Sequence, residues 1–278
     1  MCIAFTRVLV PRSRHEEIVD TVRRGRGTLD PLALDVGDQL HQLPRPLEVE
    51  PRRIEQALER LTDERAVMAE VAGGVIYDFG PRGNAIHPDA ELGYAAWHAK
   101  QPGQFPLGAQ GVGRSATAGK GFHFDRAEQS GQGGAFRQIG DTHIAFFTVT
   151  NPVGAIHDRS GKVVCGHRNP ETGEREPLRA DLDAKIDLSL KGPSANTTLS
   201  VLVIDQKLPD AGALGRIARQ VHASMARAIQ PFHMAVDGDV LFAVNMNKVD
   251  GPLHEMLLAT VASELAWDAV LASVPVRS

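Results

Sequence analysis

Cysteine is nearly absent from this chain: two residues in 278, Cys2 and Cys165. Two cysteines cannot staple a small secreted scaffold, so a reducing, cytoplasmic setting is expected. Aromatic residues make up 5%, too few for platforms on which nucleic-acid bases stack. Neither charge sign dominates: 30 Lys and Arg stand against 34 Asp and Glu, a net charge of -4. No nucleic-acid or membrane partner is expected on that ground. No run reaches the roughly 18 apolar residues of a membrane span. The start, Met1-Cys2-Ile3-Ala4-Phe5-Thr6-Arg7, has too short an apolar stretch for a signal peptide. Internal repeats and low-complexity tracts are missing.

Cofactor signatures are missing too. His254-Glu255-Met256-Leu257-Leu258 lacks the second histidine of a zinc-binding helix. Cys165 and His167 have no second pair to complete a zinc site. Gly111-Val112-Gly113 and Gly131-Gln132-Gly133-Gly134 complete neither a dinucleotide fingerprint nor a phosphate loop. They read instead as places of close backbone packing or sharp turning. Neither metal nor organic cofactor is therefore expected.

What is present reads as an ordinary globular protein, 42% hydrophobic and 23% charged. A helix is predicted from Arg53, with Ile54, Ala57, Leu58 and Leu61 at helical spacing. Strands are predicted at 74–79, 144–149 and 198–205, with a hairpin over 155–165. A short helix is predicted over 89–100. Another follows Leu208-Pro209, capped by Asp210 and ended by Pro231, with Leu214, Ile217, Ala218, Val221, Met225 and Ala228 as its apolar stripe. His222 and Met225 read as core residues rather than ligands. Asp237-Gly238-Asp239 turns into a strand at Val240–Val244. A last helix over 253–271 carries Leu257, Val261, Leu265 and Ala269 on its apolar side. Strands in one layer with amphipathic helices outside give an α+β fold class. Residues 1–52 differ: arginine-rich, with scattered proline and little periodicity. Their Arg23-Arg24-Gly25-Arg26 reads either as a nucleic-acid patch or as a solvated arm. The chain thus divides into an atypical segment, 1–52, and a main domain, 53–278.

Two motifs carry chemistry. Asn196-Thr197-Thr198 lies between a turn-like run, Lys191-Gly192-Pro193-Ser194-Ala195, and the strand Leu199-Ser200-Val201-Leu202-Val203-Ile204. A hydroxyl residue at the mouth of a buried strand is what a self-cleaving N-terminal-nucleophile hydrolase needs. Its hydroxyl attacks the preceding carbonyl, and the freed α-amine, with a pKa of about 8, then sits beside the hydroxyl as a base. The same tripeptide also reads as a glycosylation sequon or a plain loop-to-strand junction. Asp237 and Asp239 are either turn-capping carboxylates or a pair that orients the threonine hydroxyl and amine.

Four motifs occur together in one order: Ser115-Ala116-Thr117-Ala118-Gly119-Lys120, Asn151-Pro152-Val153-Gly154, Asn196-Thr197-Thr198 and Asp237-Gly238-Asp239. In this the chain resembles the self-processing aminopeptidases of the L-aminopeptidase/D-amidase type, a family that includes nylon-oligomer (6-aminohexanoate oligomer) hydrolases. The similarity spans about residues 55 to 275. It implies a four-layered αββα sandwich of the N-terminal-nucleophile type, cut between Asn196 and Thr197 into a large subunit, 1–196, and a small one, 197–278. It also implies Thr197 as nucleophile, Lys120 lining the site, Asn151 beside the nucleophile, and Asp237 and Asp239 as a nearby carboxylate pair. The implied partner is a small amide or peptide substrate, and the implied assembly a homo-oligomer, commonly a tetramer of processed units.

Family members begin with strands and a glycine-rich segment that residues 1–52 do not show. Three classes of function stay open at this level. One is a self-processed amidase for ω-amino acid oligomers or short peptides, including the aminopeptidase and D-amino-acid amidase variants. Another is a relative that keeps the site residues without a complete pocket or fold. The third is a binding protein that uses the basic arm.

Overall fold

Leu199–Gln206 is rich in valine, leucine and isoleucine, which favours a strand buried on both faces. That strand lies at the centre of the molecule's main sheet. The computed structural model describes residues 73–76, 90–99, 101, 103–121, 124–183 and 196–275, with strand positions 8–9 and 70–71. The helix read from Arg53, the rest of segment 1–52 and the run 191–195 lie outside the described residues.

The chain forms two compact units, one of residues 1–3, 74–95 and 105–278, the other of 4–73 and 96–104. In the smaller unit β1 (Val8–Leu9) pairs antiparallel with β2 (Glu70–Val71). Helix α1 (Ala90–His98), whose residues 90–95 belong to the larger unit, matches the short helix expected over 89–100. Residues 73–76 form no regular element, and the rest of the strand expected there lies outside the described residues.

The larger unit holds β3 (Thr117–Ala118), β4 (Glu128–Gln129), β5 (Gln132–Ile139), β6 (Thr142–Val149), β7 (Ala155–His157), β8 (Val163–Cys165), α2 (Arg179–Asp183), β9 (Leu199–Gln206), α3 (Ala213–Ser224), β10 (Ile229–Gln230), β11 (Val240–Val249) and α4 (Glu255–Ala272). The main sheet has the order β11-β9-β6-β5. β9 runs parallel to β11, with Leu199 opposite Val240, and antiparallel to β6, with Leu202 opposite Phe146. β10, β7 and β8 form a second sheet, and β3 pairs with β4.

Helices α3 and α4 cover one face of the main sheet. Ile144, Phe146, Leu202 and Ile204 share a core with Ile217, Val221, Leu258, Leu265 and Ala269. Fully burying a valine, leucine, isoleucine or phenylalanine side chain is worth about 1.5–3 kcal/mol. Gly133 lets β5 meet α4 backbone to backbone, since a Cβ there would run into the Ala269 carbonyl. The opposite face is buried as well, at Ala145, Val201 and Val203. A sheet covered by helices on one side and buried on the other is what the inner sheet of an αββα sandwich requires. The α+β class read from the sequence holds.

Three local expectations need correction. Asp210 does not cap α3: the N-cap is Gly212. The Asp210 carboxylate instead accepts from the Gly212 N–H at 2.7 Å and pairs with Arg216 at 2.7 Å, a turn that delays the helix by two residues. Pro231 does not end α3 either, because the helix closes at Ser224 and the chain has entered β10 before the proline. On α4 the stripe runs through Leu258, Ala262, Leu265 and Ala269, while Leu257 is exposed. Steps of four residues advance about 40° around a helix beyond a full turn, so a strict 257-261-265-269 row drifts across the face.

Candidate active site

Three neighbouring strands of the main sheet bring the predicted residues to one end. Asn151 follows β6, Asn196 and Thr197 precede β9, and Asp237 and Asp239 precede β11. Lys120 arrives two residues after β3. Asn196 and Asp237 form an isolated parallel bridge that extends the β9–β11 pairing. All six residues meet there.

Lys120 is buried, an expensive place for an ammonium unless acceptors surround it. Its Nζ donates to the Thr117 carbonyl at 2.9 Å, the Asn151 Oδ1 at 2.9 Å, the Asn151 carbonyl at 3.0 Å and the Pro152 carbonyl at 3.3 Å. Asn151 Oδ1 also accepts from the Thr117 N–H at 3.1 Å. Two donors thus fix the orientation of the Asn151 amide through its Oδ1. The geometry gives Lys120, expected only to line the site, a grip on Asn151.

The Asn196 carbonyl oxygen receives two donors. The Gly238 N–H reaches it at 2.6 Å, and the Thr197 hydroxyl donates to it at 2.6 Å. The Thr197 N–H in turn donates to the Asn151 carbonyl at 3.1 Å. The threonine is thus placed on its own preceding carbonyl, with that carbonyl polarised by a fixed N–H.

Both carboxylates are clamped by backbone. Asp239 accepts from the Thr198 N–H at 2.5 Å and the His233 N–H at 3.0 Å. Asp237 accepts from the Val153 N–H and the Met234 N–H, each at 3.2 Å. Burial raises the Asp237 pKa to about 6, helped by the charge of Asp239 and opposed by those two N–H groups and by Lys120. At neutral pH Asp237 is therefore mostly ionised yet basic enough to take a proton.

Among the described residues, four buried side-chain polar atoms have no protein partner: Thr117 Oγ1, Asn196 Oδ1, Thr198 Oγ1 and His222 Nδ1. Thr117, Asn196 and Thr198 belong to the segments that build this site. Also among the described residues, no group of three or more His, Cys, Asp or Glu is placed to hold a metal ion, and no helix is long and apolar enough to cross a membrane.

The backbone donors were not legible in the sequence. The N–H groups of Gly238, Val153, His233 and Met234 carry no side-chain signature. The one usable signal was the glycine between the aspartates: a Cβ there would sit 2.9 Å from Thr197 Oγ1 and 3.4 Å from the Asn196 carbonyl oxygen.

A family model, that of peptidase family S58, matches residues 47–274. The chain is 42% identical over 230 residues to the 6-aminohexanoate-oligomer endohydrolase of Kocuria sp. (strain KY2), covering 77% of this chain and 64% of that protein. It is 30% identical over 233 residues to an uncharacterized aminopeptidase of Mycobacterium bovis (strain ATCC BAA-935 / AF2122/97), covering 77% of this chain and 61% of the relative. The chain therefore spans a little under two thirds of the length of these relatives. Among solved structures it is similar to the PH0078 protein from Pyrococcus horikoshii OT3, with a TM-score of 0.52 at 15% identity over 80% of this chain and 59% of that one; that likeness concerns the fold alone.

Proposed function

The chain belongs to peptidase family S58, and on that premise we propose that it is a self-processing amidase with Thr197 as its nucleophile. The observation that carries this reading is the Asn196 carbonyl, held by the Gly238 N–H with the Thr197 hydroxyl directly upon it.

In the first step the Thr197 oxygen attacks the Asn196 carbonyl carbon while its proton passes to a base. Asp237 suits that task, since the uncut chain has no amine at residue 197. A C–O bond forms, the C–N bond breaks, and the departing nitrogen takes up the proton. Water then opens the ester, leaving a carboxylate on Asn196 and restoring the hydroxyl on a new N-terminus. In turnover the same hydroxyl attacks a substrate amide, with its own α-amine or an aspartate as base. The side-chain NH2 of Asn151, beside the nucleophile, and the Gly238 N–H supply donors for the oxyanion. Lys120 keeps Asn151 in register.

The relatives' names support a substrate with amide bonds, and we take it to be a 6-aminohexanoate oligomer or a short peptide. The processed units associate as a homo-oligomer, as the resemblance implies. A second reading, a chain that cuts itself but does not turn over substrate, is favoured by one observation: residues 1–46 fall outside the family match.

Intact mass and a denaturing gel test the proposal. Two fragments are expected, the smaller beginning at Thr197, whereas Thr197→Ala remains one chain. Hydrolysis of linear 6-aminohexanoate oligomers and short peptides by the cut protein then separates the two readings. Full amidase activity from an uncut wild-type chain would defeat both.

A further inference from the structure

One loop holds both carboxylates. The consecutive N–H groups of His233 and Met234 donate to Asp239 Oδ2 at 3.0 Å and to Asp237 Oδ2 at 3.2 Å. The loop is not at ease there: His233 has a φ of 56°, in the left-handed region that side chains disfavour. Its neighbours hold it in that conformation. The Phe232 and His233 rings both pack edge-on against His222 of α3, with centroids 5.0 and 4.7 Å away and interplanar angles of 61° and 84°. His222 Nδ1 is buried without a protein hydrogen-bond partner, so that nitrogen gives no polar reason for an imidazole at this place, and packing does.

We propose that His222 is a positioning residue for the Asp237/Asp239 pair, a wedge that keeps residues 232–234 where their two N–H groups reach the carboxylates. The inference rests on the reading of this site given above. Burial, and then the proximity of His233, lower the His222 pKa against the pull of Asp239, so the wedge is neutral in the neutral range. The groups that act on Asp237 are Asp239 and Lys120, joined after scission by the Thr197 α-amine. His222 and His233 lie on the Asp239 side. Losing the wedge loosens a donor from each carboxylate. A carboxylate deprived of an N–H donor holds its proton more tightly, so the pair titrates at higher pH.

Carbon-detected NMR titration of the aspartate side-chain carboxyls in the full chain reads this directly. In His222→Leu the pair's upper apparent pKa is expected to rise by about half a unit or more. His222→Phe, which keeps an aromatic edge against both rings, shifts it less. His233→Ala, made at an exposed ring, shifts it as the leucine variant does and covers the case in which the helix variant folds poorly. An unchanged titration in His222→Leu or in His233→Ala overturns the proposal, because a residue that only stabilised the fold would change the melting temperature and leave the carboxyls alone. The titration does not depend on turnover, so intact mass separately shows whether the reading of the site itself stands.

Discussion

The two ends of the β6–β9 ladder are built from similar residues and treated differently. At the far end Thr142 donates to Gln206 Oε1 at 2.8 Å. Gln206 Nε2 then donates to the Leu253 carbonyl at 2.7 Å, and the Leu253 N–H returns to Oε1 at 3.1 Å. Next to it the Asp205 carboxylate takes both the backbone N–H and the ring Nδ1 of His143, each at 2.7 Å. The polar atoms of this clamp are paired. At the near end, Asn196 Oδ1 and Thr198 Oγ1 are buried without protein partners, and Asp237 keeps a pKa near 6. Buried polar groups are normally satisfied because leaving one unpaired costs about 1–3 kcal/mol. Where a fold pairs the polar atoms at one end of a ladder and leaves single buried atoms without partners at the other, that second end is the place to look for chemistry.

The largest effect that would sharpen this contrast belongs to Asn151. Asn151→Ala removes the side-chain amide beside the nucleophile and one of the four acceptors around the buried Lys120 ammonium. Self-cleavage and amide turnover should fall about a hundredfold to a thousandfold. The measure is the rate at which fragments appear on a denaturing gel after rapid refolding, followed by kcat/KM on the cut protein. A loss below about fivefold would mean that the oxyanion donors lie elsewhere.

The pH dependence comes next. Asp237 must be ionised to act as base in self-cleavage, and its carboxyl is raised to about 6. The cleavage rate should be level above that pH and fall about tenfold per unit below it. The sign for stability runs the other way. A folded-state pKa above the unfolded value of 3.8 means that the fold favours the protonated carboxyl. That contribution is complete below about pH 4 and is lost as pH rises through about 6. Single-turnover cleavage across pH 4–8 checks the first statement. A level rate down to about pH 4.5 would exclude Asp237 as the base.

Much of this end of the molecule was legible beforehand, for definite reasons. The strand β9 announces itself because a valine- and leucine-rich run has one good solution, burial on both faces. The candidate residues came from the resemblance that the four motifs carry, and the fold brings those residues to one end of the main sheet. What escaped was work done by backbone. Nothing about Val153 or Met234 as residues says that their N–H groups hold Asp237, since that depends on where a loop folds back. Local capping misled for a related reason: Asp210 has the chemistry of an N-cap but spends it on Gly212 and Arg216. His222 read as core and does pack, but only the fold shows that its ring meets the loop behind the carboxylates.

A smaller effect probes the paired end. Thr142→Val keeps the side-chain shape, deletes the hydroxyl and weakens the clamp on Gln206. Stability should drop by about 1–2 kcal/mol, read as a lower midpoint in urea, while the acid limb of self-cleavage stays put. If the limb moved instead, the two ends would be coupled and the contrast between them would fail.

The smallest effect is the most telling. Thr198 sits next to the nucleophile, yet it contributes through its backbone: its N–H donates to Asp239 and its carbonyl accepts from the Val240 N–H at 3.0 Å. The hydroxyl is buried without a protein partner. Thr198→Val leaves the backbone contacts in place and replaces an unpaired hydroxyl with a methyl of similar size. Stability should stay level or rise by up to about 1 kcal/mol, the opposite sign from the same substitution at Thr142, and the self-cleavage rate should change by less than about threefold. Urea melts of the two valine variants beside wild type make the comparison on one axis. If Thr198→Val destabilised as much as Thr142→Val, the hydroxyl would be paired after all, and the near end could no longer be distinguished by its unpaired groups.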